Sequence, residues 1–405
     1  MLLQGIKPDG FTISSLVSSC AKLALLHHGQ VVHGKSITIG VDNNLQVTSA
    51  LVNMYCKCGV IEDAWVLFSM TPTRNVICWN SMIWGFAQNG QDIEALALYE
   101  KMLQENLKPD SVTFLSVLSA CRHAGLVEKG QGYFRRISEL HSMTPTLDHY
   151  ACMIGLLGCS GNLDKAVDLI KDMPHDPDSL IWSTLLSVSA KKSNIKHGEM
   201  AARHLFELEP LNAGPYIMLS NMYASLGRWE DVKSLRSLMK AKNVKKFVAY
   251  SWIEIDNYIF KFVAEDRTHP ETEMIYKELN RLIKKLQEAG FTPDTNLVLH
   301  DVVVEEKFES ICYHSEKLAL AFGLIKKPDG TIPIRIMKNI RVCSDCHEFM
   351  KFVSSVVGRT IVLRDSKRFH HFIGGKCSCN DYCFSVLVLE VHGRRGISDE
   401  NKSHR

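Results

Sequence analysis

The sequence lacks any run of 18 or more apolar residues, which a membrane-spanning helix would need, so no membrane span is predicted. The net charge is also small, since 47 basic and 44 acidic residues leave a formal charge of +3. That balance does not by itself require a nucleic-acid partner. With 46% hydrophobic and 22% charged residues, the chain is neither disordered nor collagen-like. Because the net charge is so small, any affinity for nucleic acid would have to come from where the charges are placed.

Targeting signals are missing from the first nine residues, which contain neither the apolar core of a secretory signal nor the Arg/Ser-rich composition of a transit peptide. A secreted disulfide scaffold is therefore not expected, although the 405-residue chain has 13 cysteines. Six of the cysteines fall between Cys312 and Cys383 and alternate with histidines, which predicts metal binding in a reducing compartment. The other seven are predicted to be small buried core residues.

A glycine recurs after aliphatic stretches, at Gly59, Gly90, Gly125, Gly161 and Gly227. The spacings are 31, 35, 36 and 66 residues, and the last is twice 33 with Asn194 at the missing place. A second apolar-periodic stretch follows each turn, so each unit is predicted to be helix, turn, helix. One such hairpin cannot bury its apolar faces alone, and stacked hairpins form an α-solenoid.

A longer period overlies the short one, since Trp79 and Trp182 occupy similar contexts 103 residues apart, about three units. Units of three lengths in a repeating triplet resemble the pentatricopeptide repeat family, specifically its plant PLS class. The resemblance implies the following segments: the end of a preceding repeat (1–9), repeats of types L, S, P, L and S (10–44, 45–75, 76–110, 111–146 and 147–178, together 10–178), and two degenerate repeats called E motifs (179–246). Because the chain starts inside a repeat, we expect it to be N-terminally shortened.

After residue 246 the pattern changes to alternating strands and helices, which predicts a separate α/β unit over 247–383. Tyr250–Val263 is predicted to be a β-hairpin. Further strands are predicted over 297–304, 333–340 and 360–364, and helices over 271–289, 315–322 and 346–357.

The strongest chemical pattern is His314-Ser315-Glu316 followed by Cys343 and Cys346. One imidazole and two thiolates supply the three protein ligands typical of catalytic zinc, with a position left open. Glu316, two residues past the histidine, can carry a proton from water to a leaving amine, as in zinc nucleobase deaminases. Alone, His-x-Glu carries no information, and Cys-x-x-Cys could be redox-active or structural zinc; the ordered pair favours the catalytic interpretation.

A second cluster has the ligand types of a closed structural zinc site. We predict His347, His370, Cys377 and Cys379 as its ligands, with His371 as the alternate to His370. The alternative is that these are ordinary core or surface residues.

Residues 312–383 closely resemble the DYW domain that ends many plant organellar pentatricopeptide proteins. The matching blocks are Ser-Trp-Ile-Glu (251–254), His-Ser-Glu-Lys-Leu-Ala (314–319), Lys-Asn-Ile-Arg-Val-Cys-Ser-Asp-Cys-His (338–347), Arg-Phe-His-His-Phe (368–372) and Cys-Ser-Cys-Asn-Asp-Tyr (377–382). The resemblance implies an α-solenoid followed by an α/β zinc cytidine-deaminase-like domain, which converts cytidine to uridine in transcripts of the mitochondrion or chloroplast. It implies two zinc ions, single-stranded RNA and editing-factor helper proteins as partners, and neither DNA nor a membrane.

Three departures favour an alternative, a catalytically inactive RNA-binding adaptor. Val248-Ala249-Tyr250 stands where the family has a Pro-Gly pair, and Cys383 replaces the last tryptophan of the Asp-Tyr-Trp end. An atypical tail then follows over 384–405. A weaker third possibility is a zinc-containing protein–protein scaffold without RNA affinity.

Repeats of this type recognise one base per unit through two or three side chains. By resemblance, Asn80 and Asp110 form a pair associated with uridine, and Ser49 and Asn75 a pair associated with adenine. Leu115 and Ala151 hold the corresponding position in the next two repeats and cannot hydrogen-bond a base, so those repeats should discriminate little. The alternative for Asn80 and Asp110 is that the first caps a helix and the second closes a turn.

Overall fold

A computed structural model describes residues 7–245, 248–295, 308, 310–328, 330 and 332–381. It has an all-helical part followed by a mixed α/β part, the order expected from the sequence. The strand predicted over 297–304 and the tail over 384–405 lie outside the described residues. The exact limits of the repeats and domains stay predictions.

The helical part is a stack of helix pairs in which the first helices of successive pairs lie side by side. The helices are α1 (Gly10–Leu23), α2 (Leu26–Ile39), α3 (Leu45–Lys57), α4 (Ile61–Met70), α5 (Val76–Gln88), α6 (Asp92–Gln104), α7 (Ser111–Ala124), α8 (Val127–Glu139), α9 (Leu147–Cys159), α10 (Leu163–Lys171), α11 (Ser179–Lys191), α12 (Ile195–Leu208), α13 (Ala213–Ser225) and α14 (Trp229–Ala241). Their apolar faces form two cores, one from α1 to α9 and one from α9 to α14.

The turn inside each pair explains the glycine period. Gly59, Gly90, Gly125, Gly161 and Gly227 all have φ between +69° and +88°, where a side chain would be strained. Two pairs have no glycine there, and Ala24 (φ +54°) and Ser193 (φ +51°) take the left-handed conformation instead. Ser193 corrects the prediction that Asn194 occupies the turn between α11 and α12. Asn194 instead caps α12, since its side chain accepts a hydrogen bond from the His197 amide.

The junction between pairs is marked by short polar residues that cap the next helix. Asp9, Asn44, Asn75, Asp110, Asp178 and Asn212 each accept a hydrogen bond from a backbone amide in the first turn. Such side chains satisfy amides that a helix start would otherwise leave unpaired. Each of these six residues therefore has a structural role whatever else it does.

The α/β part is a six-stranded sheet in the order β2-β1-β3-β4-β5-β6, in which only β3 and β4 are parallel. The strands are β1 (Tyr250–Ile255), β2 (Tyr258–Val263), β3 (Ile334–Lys338), β4 (Ile361–Arg364), β5 (Phe369–Ile373) and β6 (Lys376–Cys377), and the helices are α15 (Thr272–Glu288), α16 (Ser315–Lys326) and α17 (Ser344–Val356). Helix α16 packs on β1, β2 and β3, and α15 packs on α16 and α17.

The predicted hairpin and helices of this part match the observed elements within a few residues. Strands β5 and β6 were not predicted, because a short segment rich in histidine and cysteine has no clear alternation of apolar residues. Among the helices that the structure describes, none is both long and apolar enough to cross a membrane.

We predict that His149 makes the solenoid sensitive to acid. Its Nδ1 accepts from the Thr146 amide at 2.9 Å and its Nε2 donates to the Ser111 carbonyl at 2.8 Å, an arrangement that only neutral imidazole satisfies. Burial lowers the pKa of His149 below its ordinary 6.5, so its stabilisation is complete above pH 6.5 and is lost as the pH falls below it. Protonation of this histidine should lower the free energy of unfolding by about 1 kcal/mol between pH 7 and pH 5.

Urea unfolding of wild type and His149→Gln at the two pH values tests this prediction. Glutamine at this position can accept from the same amide as in a capping box but does not titrate. The variant should lose less stability on acidification than wild type, and an equal loss would contradict the assignment.

Candidate metal centres and nucleic-acid groove

The first cluster lies where two helices begin side by side. His314 is the residue before α16 and Cys343 the residue before α17, while Cys346 lies in the first turn of α17. His314 Nδ1 lies 3.3 Å from Cys346 Sγ and 3.5 Å from Cys343 Sγ. All three side chains are buried. The structure thus brings together the residues that the sequence analysis paired across 29 positions.

The donor set and spacing fit a tetrahedral zinc ion. Zinc bonds of 2.0–2.3 Å place neighbouring ligand atoms about 3.3–3.8 Å apart, which matches the distances above. The pKa of Cys343 is lowered to about 6, first by its hydrogen bond with Cys346 and then by His314, against the effect of burial. Burial raises the pKa of Cys346. A pair that already holds one thiolate is suited to a divalent cation.

Glu316 lies within 4.8 Å of the three ligands and is fully buried. Its Oε2 accepts from Lys338 Nζ at 2.6 Å and from the Ser315 hydroxyl at 3.2 Å. Burial would raise the pKa of Glu316, but Lys338 and then His314 outweigh it and hold that pKa well below its ordinary value. Among the described residues, none hydrogen-bonds Oε1. One oxygen of this carboxylate is therefore fixed and the other is free to meet a ligand or water.

Sequence analysis missed the ion pair that joins the two ligand-bearing helices. Lys317, at 0% side-chain exposure, donates from Nζ to Asp345 Oδ2 at 2.6 Å and to the Ile311 carbonyl at 3.0 Å. Its ammonium also lies 4.7 Å from the ring centre of Phe349. The available signal was a lysine directly after Glu316 and an aspartate directly before Cys346, each at the start of a predicted helix. The pair links α16 to α17 directly beneath the cluster.

The second cluster contains the four predicted ligands. His347 Nε2 lies 3.3 Å from Cys379 Sγ, and His370 Nδ1 lies 3.7 Å from Cys377 Sγ. The other nitrogen of His370 lies 3.4 Å from the buried carboxylate of Asp365, which raises the pKa of His370 against the effect of burial. A carboxylate behind a histidine is a common way to orient a metal-binding ring.

His371, the alternate ligand, is not in this cluster. Neighbouring residues of a strand point to opposite faces, so β5 directs His370 to the cluster and His371 away from it. His371 Nε2 instead lies 2.9 Å from Asn89 Oδ1 of the solenoid.

The predicted base-recognition pairs also meet across repeat boundaries. Asn80 donates from Nδ2 to Asp110 Oδ1 at 2.8 Å and accepts from the Thr113 hydroxyl at 2.6 Å. Ser49 Oγ lies 3.5 Å from Asn75 Oδ1. Asn80 lies inside α5 and does not cap it, whereas Asp110 does cap α7.

A groove of about 710 Å³ runs along the same edge of α1, α3 and α5. Its lining is largely hydroxyl and amide groups, with one cation: Ser14, Ser15, Ser18, Ser19, Lys22, Leu45, Gln46, Ser49, Ala50, Asn53, Asn75, Ile77 and Ser81. Ser14 is the fifth residue of α1, as Ser49 is of α3, and Asn44 caps α3 as Asn75 caps α5. Sequence analysis missed this third pair, although the same offset from the capping residue would have found it.

Comparison with known proteins agrees with this architecture. Models of the pentatricopeptide repeat match residues 47–76, 74–123, 112–141 and 148–176. A model of the E motif matches 192–254, and a model of the DYW family of nucleic acid deaminases matches 290–383. The chain is a pentatricopeptide repeat protein with an E motif and a DYW-family domain. The predicted fold class, an α-solenoid followed by a deaminase-like α/β domain, is confirmed.

Relatives in Arabidopsis thaliana resemble this pentatricopeptide repeat protein over nearly its whole length. Pentatricopeptide repeat-containing protein At1g20230 is 42% identical over 94% of this chain and 50% of its own length. The mitochondrial protein At2g03880 is 44% identical over 94% of this chain and 61% of its own length. The chain thus spans about half the length of the curated relatives it matches.

One solved structure supports the solenoid fold. The pentatricopeptide repeat protein PPR10 in complex with an 18-nucleotide psaJ RNA element has a TM-score of 0.50 over 61% of this chain and 37% of its own. Its 18% identity makes the likeness one of fold alone.

We predict that the purified chain binds two zinc ions, one in each cluster, because each has a four-residue set of zinc-type donors within 4.8 Å. Cys343→Ser should lose one zinc and Cys379→Ser the other, measured by elemental analysis after dialysis. Cys121→Ser, which removes a buried thiol of the solenoid core, is the matched control and should keep both. Unchanged zinc content in either cluster variant would refute that centre.

Proposed function

We propose that this chain binds single-stranded RNA along the groove and deaminates cytidine to uridine at a zinc ion held by His314, Cys343 and Cys346. The observation that carries the proposal is the buried Glu316 carboxylate, which has one oxygen held by Lys338 and the other unpartnered beside three zinc-type ligands. A purely structural zinc site would not need this carboxylate, and burying an oxygen without a hydrogen-bond partner costs free energy.

In the proposed reaction, water adds to C4 of cytidine, a carbon–oxygen bond forms, and the bond from C4 to the amino nitrogen breaks to release ammonia. Bound zinc would supply Lewis-acid activation of water, as it does in other deaminases. Glu316 takes the proton from the attacking water at Oε1 and returns it to the leaving amine. Lys338 and Ser315 hold Oε2 and so keep the carboxylate in one orientation.

The second proposed zinc, bound by His347, His370, Cys377 and Cys379, has a structural role. Four protein ligands close a tetrahedral site and leave no position for substrate. The site joins α17, which begins directly after Cys343 and contains Cys346, to β5 and β6. It would therefore hold the catalytic helix against the sheet.

RNA recognition is proposed for the polar pairs at the repeat boundaries. Amides, hydroxyls and carboxylates at these positions can hydrogen-bond the edge of one base per repeat. By family resemblance, Asn80 with Asp110 selects uridine and Ser49 with Asn75 selects adenine; Ser14 with Asn44 adds a third pair of the latter type. Three recognised bases cannot select one transcript. The remaining selectivity must therefore come from further repeats or from helper proteins.

Organellar transcripts are the proposed substrates. One relative is named as mitochondrial and another as chloroplastic. These names support an organellar site of action, in one compartment or the other, as part of the proposal.

A second candidate function, an RNA-binding adaptor without catalysis, is favoured by the same Lys338 contact. An ammonium 2.6 Å from Glu316 lowers its pKa and so makes it a weaker proton acceptor. The two functions differ in a deamination assay, because only the enzyme converts cytidine in bound RNA.

We predict that Glu316→Gln abolishes cytidine conversion while zinc content and RNA affinity stay at wild-type levels, because glutamine fills the site but cannot accept the proton. A loss of at least ~100-fold is expected, within the range for removal of a general acid–base group. The assay is sequencing of a target RNA after incubation with the zinc-loaded chain. Glu278→Gln, a change in a surface ion pair of α15, is the control.

Undiminished conversion by Glu316→Gln would remove the proposed proton carrier. Absence of conversion by the wild type, with zinc and RNA both bound, would decide for the adaptor.

We predict that exchanging the two base-recognition pairs exchanges their base preferences. The variant Asn80→Ser with Asp110→Asn should favour adenine where wild type favours uridine, and Ser49→Asn with Asn75→Asp should do the reverse. Each good contact should be worth about 1–3 kcal/mol of discrimination. Asn and Asp cap helices equally well, so α5 and α7 should remain intact.

Binding of RNAs that differ at one position each, measured by filter retention, tests the exchange. An unchanged preference in both variants would show that these side chains serve only the helix starts.

A further inference from the structure

The α/β domain contacts the solenoid at turns inside the helix pairs of the solenoid, although the contacting residues lie far apart in the sequence. Arg335 donates from Nη1 to the Cys58 carbonyl at 2.8 Å, and Arg364 donates from Nη1 to the Lys57 carbonyl at 3.1 Å. The last carbonyls of a helix have no partner within it and carry the negative end of its dipole. Two arginines of adjacent strands, β3 and β4, therefore cap the C-terminal end of α3.

The next turn along the solenoid makes a matching contact. Asn89, at the end of α5, accepts from His371 Nε2 at 2.9 Å and donates from Nδ2 to the carbonyls of Gly85 and Cys56. Asn89 thus links α5, α3 and β5 at one point.

The α/β domain lies in close contact with two glycines at these turns. A Cβ added at Gly90 would lie 2.3 Å from the backbone oxygen of Ser378, and one added at Gly59 would lie 2.7 Å from the buried ring of Phe369. The equivalent turn glycines Gly161 and Gly227 have nothing within 4 Å of such an atom. The turns at Gly59 and Gly90 thus differ in this respect from the turns at Gly161 and Gly227.

We infer that the turns at Gly59 and Gly90 form a docking platform that fixes the position of the deaminase site relative to the base-recognition groove. This inference rests on the proposed function for its consequence, but the docking itself can be tested without it.

The same elements carry both the docking contacts and the chemistry. Helices α3 and α5 present Ser49 and Asn80 near their N-terminal ends and the docking turns at their C-terminal ends. Strand β3 carries Arg335 and, three residues on, Lys338, the partner of Glu316. Every side chain that lines the groove belongs to the solenoid, so docking leaves it open to RNA. Helices α3 and α5 and strand β3 thus connect the base-recognition residues to Glu316 through direct contacts.

The test compares alanine at the docking turns with alanine at the matched free turns. Gly90→Ala (φ +83°) pairs with Gly161→Ala (φ +88°), and Gly59→Ala (φ +69°) with Gly227→Ala (φ +70°). Each pair suffers the same left-handed strain, so any difference reports the contact with the α/β domain. The measurements on the full chain are the radius of gyration by X-ray scattering, thermal stability, zinc content and RNA affinity.

We expect a larger radius of gyration for Gly90→Ala and Gly59→Ala than for their controls, with equal thermal stability, zinc content and RNA affinity within each pair. If the chain edits RNA, the docking variants should lose about 100-fold in conversion or convert a different cytidine, because small misplacements of the reacting groups have effects of that size.

Radii equal to those of the controls would overturn the docking platform. Expanded variants that convert the same cytidine at the wild-type rate would overturn its positioning role. A wild type that does not edit would refute the proposed enzyme, and the scattering comparison would still decide whether the domains dock.

Discussion

The buried ion pair between Lys317 and Asp345 is the interaction on which the candidate site depends. It holds the first turns of α16 and α17 side by side, and those turns carry His314 and Cys343. Two helix N-termini that meet in this way place positive dipole ends around a pair of thiols, which favours thiolate and therefore metal binding. Removing one partner of such a pair leaves an uncompensated buried charge and costs about 3–5 kcal/mol.

The rest of the α/β domain follows from keeping those helices in place. The sheet supports α16 through β1 and β3, and Lys338 at the end of β3 reaches Glu316. On the other side, His347 of α17 meets β5 and β6 through the second cluster. The two clusters meet on successive residues of α17, Cys346 and His347, so the position of one cluster is coupled to that of the other.

Most of the fold and the two clusters could be predicted from the sequence because their signals are local or regularly spaced. The glycine period gave the helix pairs, and the spacing of His314, Glu316, Cys343 and Cys346 indicated a single zinc site. Contacts set by the tertiary fold were out of reach. Lys338 lies 22 residues from Glu316, and Asn89 lies 282 residues from His371, with no pattern that joins them. The Ser14 and Asn44 pair was within reach, since it follows the same offset as the pairs that were found.

The docking turns have a consequence for how such a chain can change in length. The α/β domain is joined covalently to the end of α14 and contacts the turns after α3 and α5. The repeats between these two attachments must therefore span a fixed distance. Insertion or loss of one helix pair within that span would change the distance between the attachments by roughly the 8–10 Å between packed helices. The α/β domain could then no longer reach both. His28 of α2 also lies 3.5 Å from the Glu254 carboxylate of β1. Only repeats added ahead of α1 therefore lie outside this span, so an array of this kind can lengthen only at its N-terminal side.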